Sequence, residues 1–321
     1  MNTRQLLTFP ARNLVFVIPV MLISGLITGY YVDTSPLKTL ILPVSILMVY
    51  PAMIGFRLGE LTKFTEKRLM GVNLVVNFLV LPLIAVLIGK LFLHNHPDLF
   101  TGLVIISVVP GGNMVVAFTM MFKGNLSASL KLSATNLLLG SFLVPVYLYV
   151  LVGKLVPINV VQVFQTIIMV VFLPLVMGIL TYKLLMKRYS EETFQKEIKP
   201  LLPGLSAWGL VYIIFTSISL KSRMIFGYPG LLLQAIGGLF LFYFLVFLVV
   251  VIIARLFFNR RDGMTLFLNS ILRNLAISIG LAITAFNSQT AMMVALAFLF
   301  QQQIAVWFWK LDNRFHLLVE N

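Results

Sequence analysis

Arg273 stands about ten residues inside a long apolar run, hence about 15 Å deep at 1.5 Å of helical rise per residue. Burying a guanidinium in hydrocarbon costs about 3 kcal/mol or more, and the group stays protonated. An arginine at that depth is expected to face a wet cavity or an anion. Its plainer role would be to tie up the backbone carbonyls of a broken helix. Pro110-Gly111-Gly112-Asn113 interrupts another apolar run near its middle. The proline removes a helical hydrogen bond and the glycines free the backbone that follows. A half-helix should restart near Asn113, its unpaired N–H groups forming a ready anion site. The plainer alternative there is a proline kink. Lys131 lies about six residues into a further run, about 9 Å by the same rise, and is a candidate proton or charge site. Its plainer role is a stem that snorkels back to the interface.

Other polar side chains fall at similar depth. They are Asn73 and Asn77; Ser127, Ser129, Ser133, Thr135 and Asn136; Asn269 and Asn274; and Gln301, Gln302 and Gln303. Taken singly, each reads as interhelical hydrogen bonding before it reads as a ligand. All ten acidic residues lie in connectors or at the ends of apolar runs, so no carboxylate is expected at depth to hold a coupling cation or carry a proton. Cysteine is absent and the three histidines sit in or near polar connectors, so no metal centre is expected. No His-Glu-x-x-His, acidic dyad or Gly-x-Ser-x-Gly occurs, which argues against an enzyme, and nothing points to a cofactor.

These residues need elements to hold them. The chain has 321 residues, 60% apolar and 11% charged, against about 45–50% and 25% in soluble domains. That composition predicts an all-α polytopic membrane protein in a lipid bilayer. Ten apolar runs are long enough to span: roughly 13–33, 37–58, 69–93, 100–122, 125–152, 158–186, 201–221, 228–258, 264–287 and 289–311. The first lacks a small-residue cleavage site and is expected to stay in the membrane. The net charge of +14 would suggest nucleic acid in a soluble protein. Here the topology accounts for it, and no nucleic-acid partner is expected. With the N-terminus inside, only Lys38, Lys90, Lys154, Lys221 and Arg223 of the 24 lysines and arginines fall outside, and Lys131 and Arg273 fall within spans. The remainder are cytoplasmic, which places both termini there, in a bacterial inner membrane. Ten spans divide into five and five, residues 1–157 and 158–321, and an odd number per half inverts the second half. That is the arithmetic of inverted repeats with interrupted fourth and ninth helices and with panel-type and core-type helices interleaved.

The stretch Ser107-Val108-Val109-Pro110-Gly111-Gly112 through Lys123-Gly124-Asn125 resembles the fourth-helix motif of the bile acid:sodium symporter family. There Pro-Gly-Gly is followed by Thr-x-Ser-Asn and then a basic-Gly-Asn turn, at a spacing that fits without a gap. Leu272-Arg273-Asn274-Leu275-Ala276 is similar to the ninth span of arsenite-efflux carriers in the same superfamily. The resemblance implies solute uptake coupled to two Na⁺ ions, yet its ion ligands are changed here. The Ser-Asn pair aligns with Val115 and Val116, the shared glutamate with Asn269, and a glutamine one turn later with Arg273. The third-span glutamine becomes Asn77, and two hydroxyl positions survive as Ser129 and Ser133. The family's substrate-contact positions align with Asn113 and Asn274, followed by Gln301 and Gln302. Arsenite efflux is disfavoured by the missing fourth-span cysteine.

The reading that follows is a fixed positive charge in place of mobile ions. Arg273, together with Lys131, would keep the site positive, and Na⁺ beside Arg273 would be repelled at low dielectric. The expected function is alternating-access transport of an organic anion, bile-acid-like or a small carboxylate, without sodium. Uniport, exchange and proton coupling remain open. The alternatives are a Na⁺-coupled symporter with relocated ligands and a solute sensor that binds without transport.

Overall fold

The computed structural model describes residues 3–55, 66–111, 113–154, 156, 159–227 and 229–319. Its elements are helical: α1 (Thr3–Arg12), α2 (Leu14–Tyr31), α3 (Ser35–Met53), α4 (Lys67–Phe92), α5 (Pro97–Val108), α6 (Asn113–Met121) and α7 (Leu126–Val152). They continue with α8 (Val160–Arg188), α9 (Glu191–Ser219), α10 (Ser222–Gly227), α11 (Pro229–Phe257), α12 (Arg260–Ile271), α13 (Leu275–Leu281) and α14 (Ser288–Phe315). Among the described residues, eight helices are long and apolar enough to cross a membrane, with Arg260–Phe286 counted as one, or nine if α1 and α2 form one span bent by 85°. The expected fourth span is the broken pair α5 and α6, of 12 and 9 residues, each too short to cross alone. The ninth is interrupted too, between Ile271 and Leu275. Helix α1 was not foreseen; with ten residues it is too short to span.

Local signals account for several helix starts. Asn125, Asn159 and Asn259 are N-caps whose side chains accept from Ala128, Gln162 and Asp262 N–H. Asn287 does the same for Thr290 at the head of α14. Outer faces are apolar, the reverse of a soluble fold. Along α4, Val75, Leu79, Leu83, Leu87 and Leu91 form an exposed stripe at four-residue spacing, while Asn73 and Asn77 on the same helix are fully buried. An apolar exterior over a polar interior is what lipid as solvent selects.

The chain folds as two compact units, each drawing on both halves of the sequence. One comprises Met1–Phe56, Asn159–Pro229 and Ala276–Ala295. In it α9 packs along α1, α2 and α3, and α8 packs on α3. Backbones approach closely: a Cβ on Gly29 would lie 2.1 Å from the Ser219 carbonyl oxygen.

The other unit comprises Arg57–Ile158, Gly230–Leu275 and Leu296–Asn321. Helix α5 packs against α4 and α7, and α12 packs against α4, α6 and α7. Every residue of α5 from Leu99 to Val108 is buried, as is every residue of α12 from Gly263 to Ile271. Both interrupted helices thus end inside protein, where irregular backbone is tolerated at membrane depth.

Candidate functional site

Within this second unit the two breaks meet. Helix α5 ends at Val108 and Val109 turns extended, so the chain leaves the helix axis at Pro110. Helix α12 ends at Ile271, Leu272 leaves the helical conformation, and Arg273 and Asn274 bridge to α13. The Asn274 backbone N–H donates to the Pro110 carbonyl at 3.0 Å. Gly111 is required at this crossing: a Cβ there would stand 2.7 Å from the Leu272 carbonyl oxygen. On the far side the Pro110 ring seats on Gly140 of α7, where a Cβ would lie 2.5 Å from the proline Cδ. Gly112 lies outside the described residues, as does the Asn113 side chain; Asn113 is the first residue of α6.

Arg273 lies over the crossing, 3% exposed. Its Nε donates to the Ile106 carbonyl at 3.1 Å, its Nη2 to the Ser107 carbonyl at 2.7 Å, and its Nη1 to Asn77 Oδ1. Those carbonyls belong to the last turn of α5, where helical partners run out and the dipole is negative. Its backbone N–H donates to Gln301 Oε1 of α14 at 3.0 Å. The guanidinium therefore caps one half-helix while joining α4 to α12. All three of its acceptors are neutral, so its full positive charge stays in the interior.

The remaining positions surround this core. Asn77 sits in a wide, π-helical turn of α4, Val76–Val80, and its Nδ2 donates to the Asn73 carbonyl at 3.0 Å. Val115 is fully buried and offers no side-chain oxygen, and Val116 is half-buried. Ser129 Oγ shares a 3.0 Å hydrogen bond with Thr119 Oγ1, which also donates to the Val115 carbonyl. Asn269 donates through Nδ2 to the Thr265 carbonyl at 3.0 Å. Its Oδ1, like Ser133 Oγ and Asn136 Oδ1 on α7, has no hydrogen-bond partner among the described residues. Gln302 Nε2 lies 4.0 Å from Met114 Sδ, at the head of α6. Among the described residues no group of three or more His, Cys, Asp or Glu could hold a metal ion.

Lys131 is not part of this group. Its Nζ donates to Glu66 Oε2 at 2.8 Å, at the start of α4. Glu66 reads as a connector residue because it precedes the apolar run by only a few positions. It stands at the end of a span, as expected of the acidic residues, and the fold brings it onto Lys131, so the lysine is paired there. Tyr243, at the centre of α11, carries a buried hydroxyl with no partner among the described residues; the sequence signal for it was a tyrosine in mid-run, away from the interfaces where tyrosine concentrates.

The profile of the Sodium Bile acid symporter family matches residues 39–227, more than half of the chain and including the first break. The chain belongs to that family. Among relatives of this symporter homologue, the arsenical-resistance protein Acr3 of Corynebacterium glutamicum is 25% identical over 79% of this chain and 73% of its own length. Uncharacterized protein YbaS of Bacillus subtilis is 26% identical over 77% of this chain and 80% of its own length. A probable chloroplastic sodium/metabolite cotransporter of rice, BASS2, is 25% identical over 68% of this chain and 50% of its own length. The family is one of membrane transporters, so this symporter homologue is an integral membrane transporter and not an enzyme.

Proposed function

We propose that this transporter carries an organic anion, bile-acid-like or a small carboxylate, by alternating access without Na⁺. One observation carries the reading: the Arg273 guanidinium bonds Asn77 Oδ1, the position that the resemblance assigns to an ion ligand. Val115 and Val116 have no oxygen to replace what the aligned Ser-Asn pair would supply. The charge that an ion would bring is then already present, held by neutral acceptors, and a bound anion would compensate it. The head of α6 at Asn113 would receive the anion from the other side, with Asn274, Gln301 and Gln302 as further contacts. The ten-span arrangement as two inverted five-helix repeats, with both termini cytoplasmic in a bacterial inner membrane, belongs to the same proposal.

Reconstituted vesicles test it directly. Uptake of a labelled carboxylate should persist when external Na⁺ is replaced by K⁺, and a large loss would reject sodium independence.

A second reading is a Na⁺-coupled symporter with relocated ligands. It is favoured by the unpartnered oxygens of Asn269 and Asn136 and of Ser133, on α12 and α7. Thermal stabilisation by Na⁺ but not by K⁺, lost in Asn269→Leu, would select it.

A further inference from the structure

Tyr243 occupies the centre of the 29-residue α11 and is 1% exposed. Its ring is held in place, stacked on Phe300 at 6.0 Å and 6° and edge-on to Phe242 at 5.3 Å. Phe300 immediately precedes Gln301, whose side chain accepts the Arg273 backbone N–H. The phenol and the Arg273 backbone are thus held by two successive residues of α14, which places them in one neighbourhood of the second unit.

The hydroxyl itself has no hydrogen-bond partner among the described residues. A buried donor without a partner is destabilising, and phenylalanine would fill the same volume without that penalty. Among the described residues, Arg273 uses three of the five N–H groups of its guanidinium on protein acceptors, leaving two uncommitted there. The phenolic O–H and the spare guanidinium N–H groups are donors, and they do not bond each other. The ligand that satisfies both is an acceptor with several lone pairs and a negative charge. A carboxylate oxygen fits that description, accepting from an O–H and an N–H at once.

We propose that the Tyr243 hydroxyl is a second donor to the transported solute's carboxylate, converging with Arg273 on one anion site. This rests on the anion reading of Arg273 and adds to it a residue outside the family's aligned contact positions. Tyr243 would fix the carboxylate's orientation, while Arg273 supplies the charge.

The test uses the full-length protein in lipid nanodiscs, with acetate, benzoate and cholate as probes, in wild type, Tyr243→Phe and Arg273→Lys. Calorimetric titration and thermal unfolding are read together. Tyr243→Phe should unfold at the same or a higher temperature without ligand, yet bind the carboxylate that wild type binds about tenfold or more weakly. A lower unfolding temperature in Tyr243→Phe without ligand would show that the hydroxyl serves a structural partner, and would overturn the proposal. Unchanged affinity in Tyr243→Phe with weakened affinity in Arg273→Lys would overturn the role of Tyr243 and leave that of Arg273 standing. Failure of wild type to bind any of the three carboxylates would remove both.

Discussion

Arg273 and Asn77, 196 residues apart in sequence, meet side chain to side chain, Nη1 donating to Oδ1. Asn77 lies in a π-helical turn of α4, and Arg273 lies in the gap between α12 and α13. The contact therefore joins two places where regular α-helix fails. The same guanidinium holds the Ile106 and Ser107 carbonyls at the end of α5. Capping a broken helix is thus compatible with the proposed role of Arg273 in charging a binding site. The carbonyls fix where the guanidinium sits, and being neutral they do not cancel its charge.

Replacing Arg273 by glutamine removes the charge and strands two buried carbonyls. Arg273→Gln should lose about 3 kcal/mol of stability and all measurable carboxylate binding, read by thermal unfolding and titration. Arg273→Lys keeps a charge but not the planar fork, and should recover part of the stability.

The helix crossing admits no side chain at Gly111. A methyl group there would press against the Leu272 carbonyl at 2.7 Å, and backbone cannot give way cheaply. Gly111→Ala should destabilise by about 1–3 kcal/mol, seen as a lower unfolding temperature and a reduced yield of monodisperse protein.

Lys131 and Glu66 should behave as a structural pair. Lys131→Met removes the cation bonded to the half-buried Glu66 carboxylate and should lower stability, with solute binding retained. Glu66→Leu in the same chain should restore much of the loss, and a double-mutant cycle should show coupling of about 1–3 kcal/mol. Loss of transport in Lys131→Met at normal stability would return the lysine to the list of proton or charge sites.

At the end of α14, Asp312 is fully buried, accepting from Arg260 Nε at 2.8 Å and from the Leu318 backbone N–H at 2.9 Å. Asp312→Asn should free residues 316–319 for limited proteolysis and cost about 1–3 kcal/mol, since the carboxylate that holds both Arg260 Nε and the Leu318 N–H is lost. Protease resistance equal to wild type would show that the segment is held otherwise.

Much of this was readable along the chain. Hydrophobic run length located the eight long apolar helices among the described residues, because the length needed to span depends only on bilayer thickness. Pro110 and Gly111 announced the first break by their own backbone chemistry. The wide turn around Asn77 left no comparable local sign, and neither did helix α1.

Sequence alone determined that an arginine stands at mid-membrane depth, that valines occupy positions where relatives are read as offering oxygen, and that cysteine chemistry is absent. These are matters of residue identity and local spacing. Tertiary structure decided that Arg273 takes its acceptors from α4 and α5, that Glu66 answers Lys131, and that the Tyr243 hydroxyl is buried with no partner among the described residues. The reason is physical: helix formation and burial follow nearby residues, whereas the partner of a buried charge or donor is whichever distant segment the packing brings within 3 Å of it.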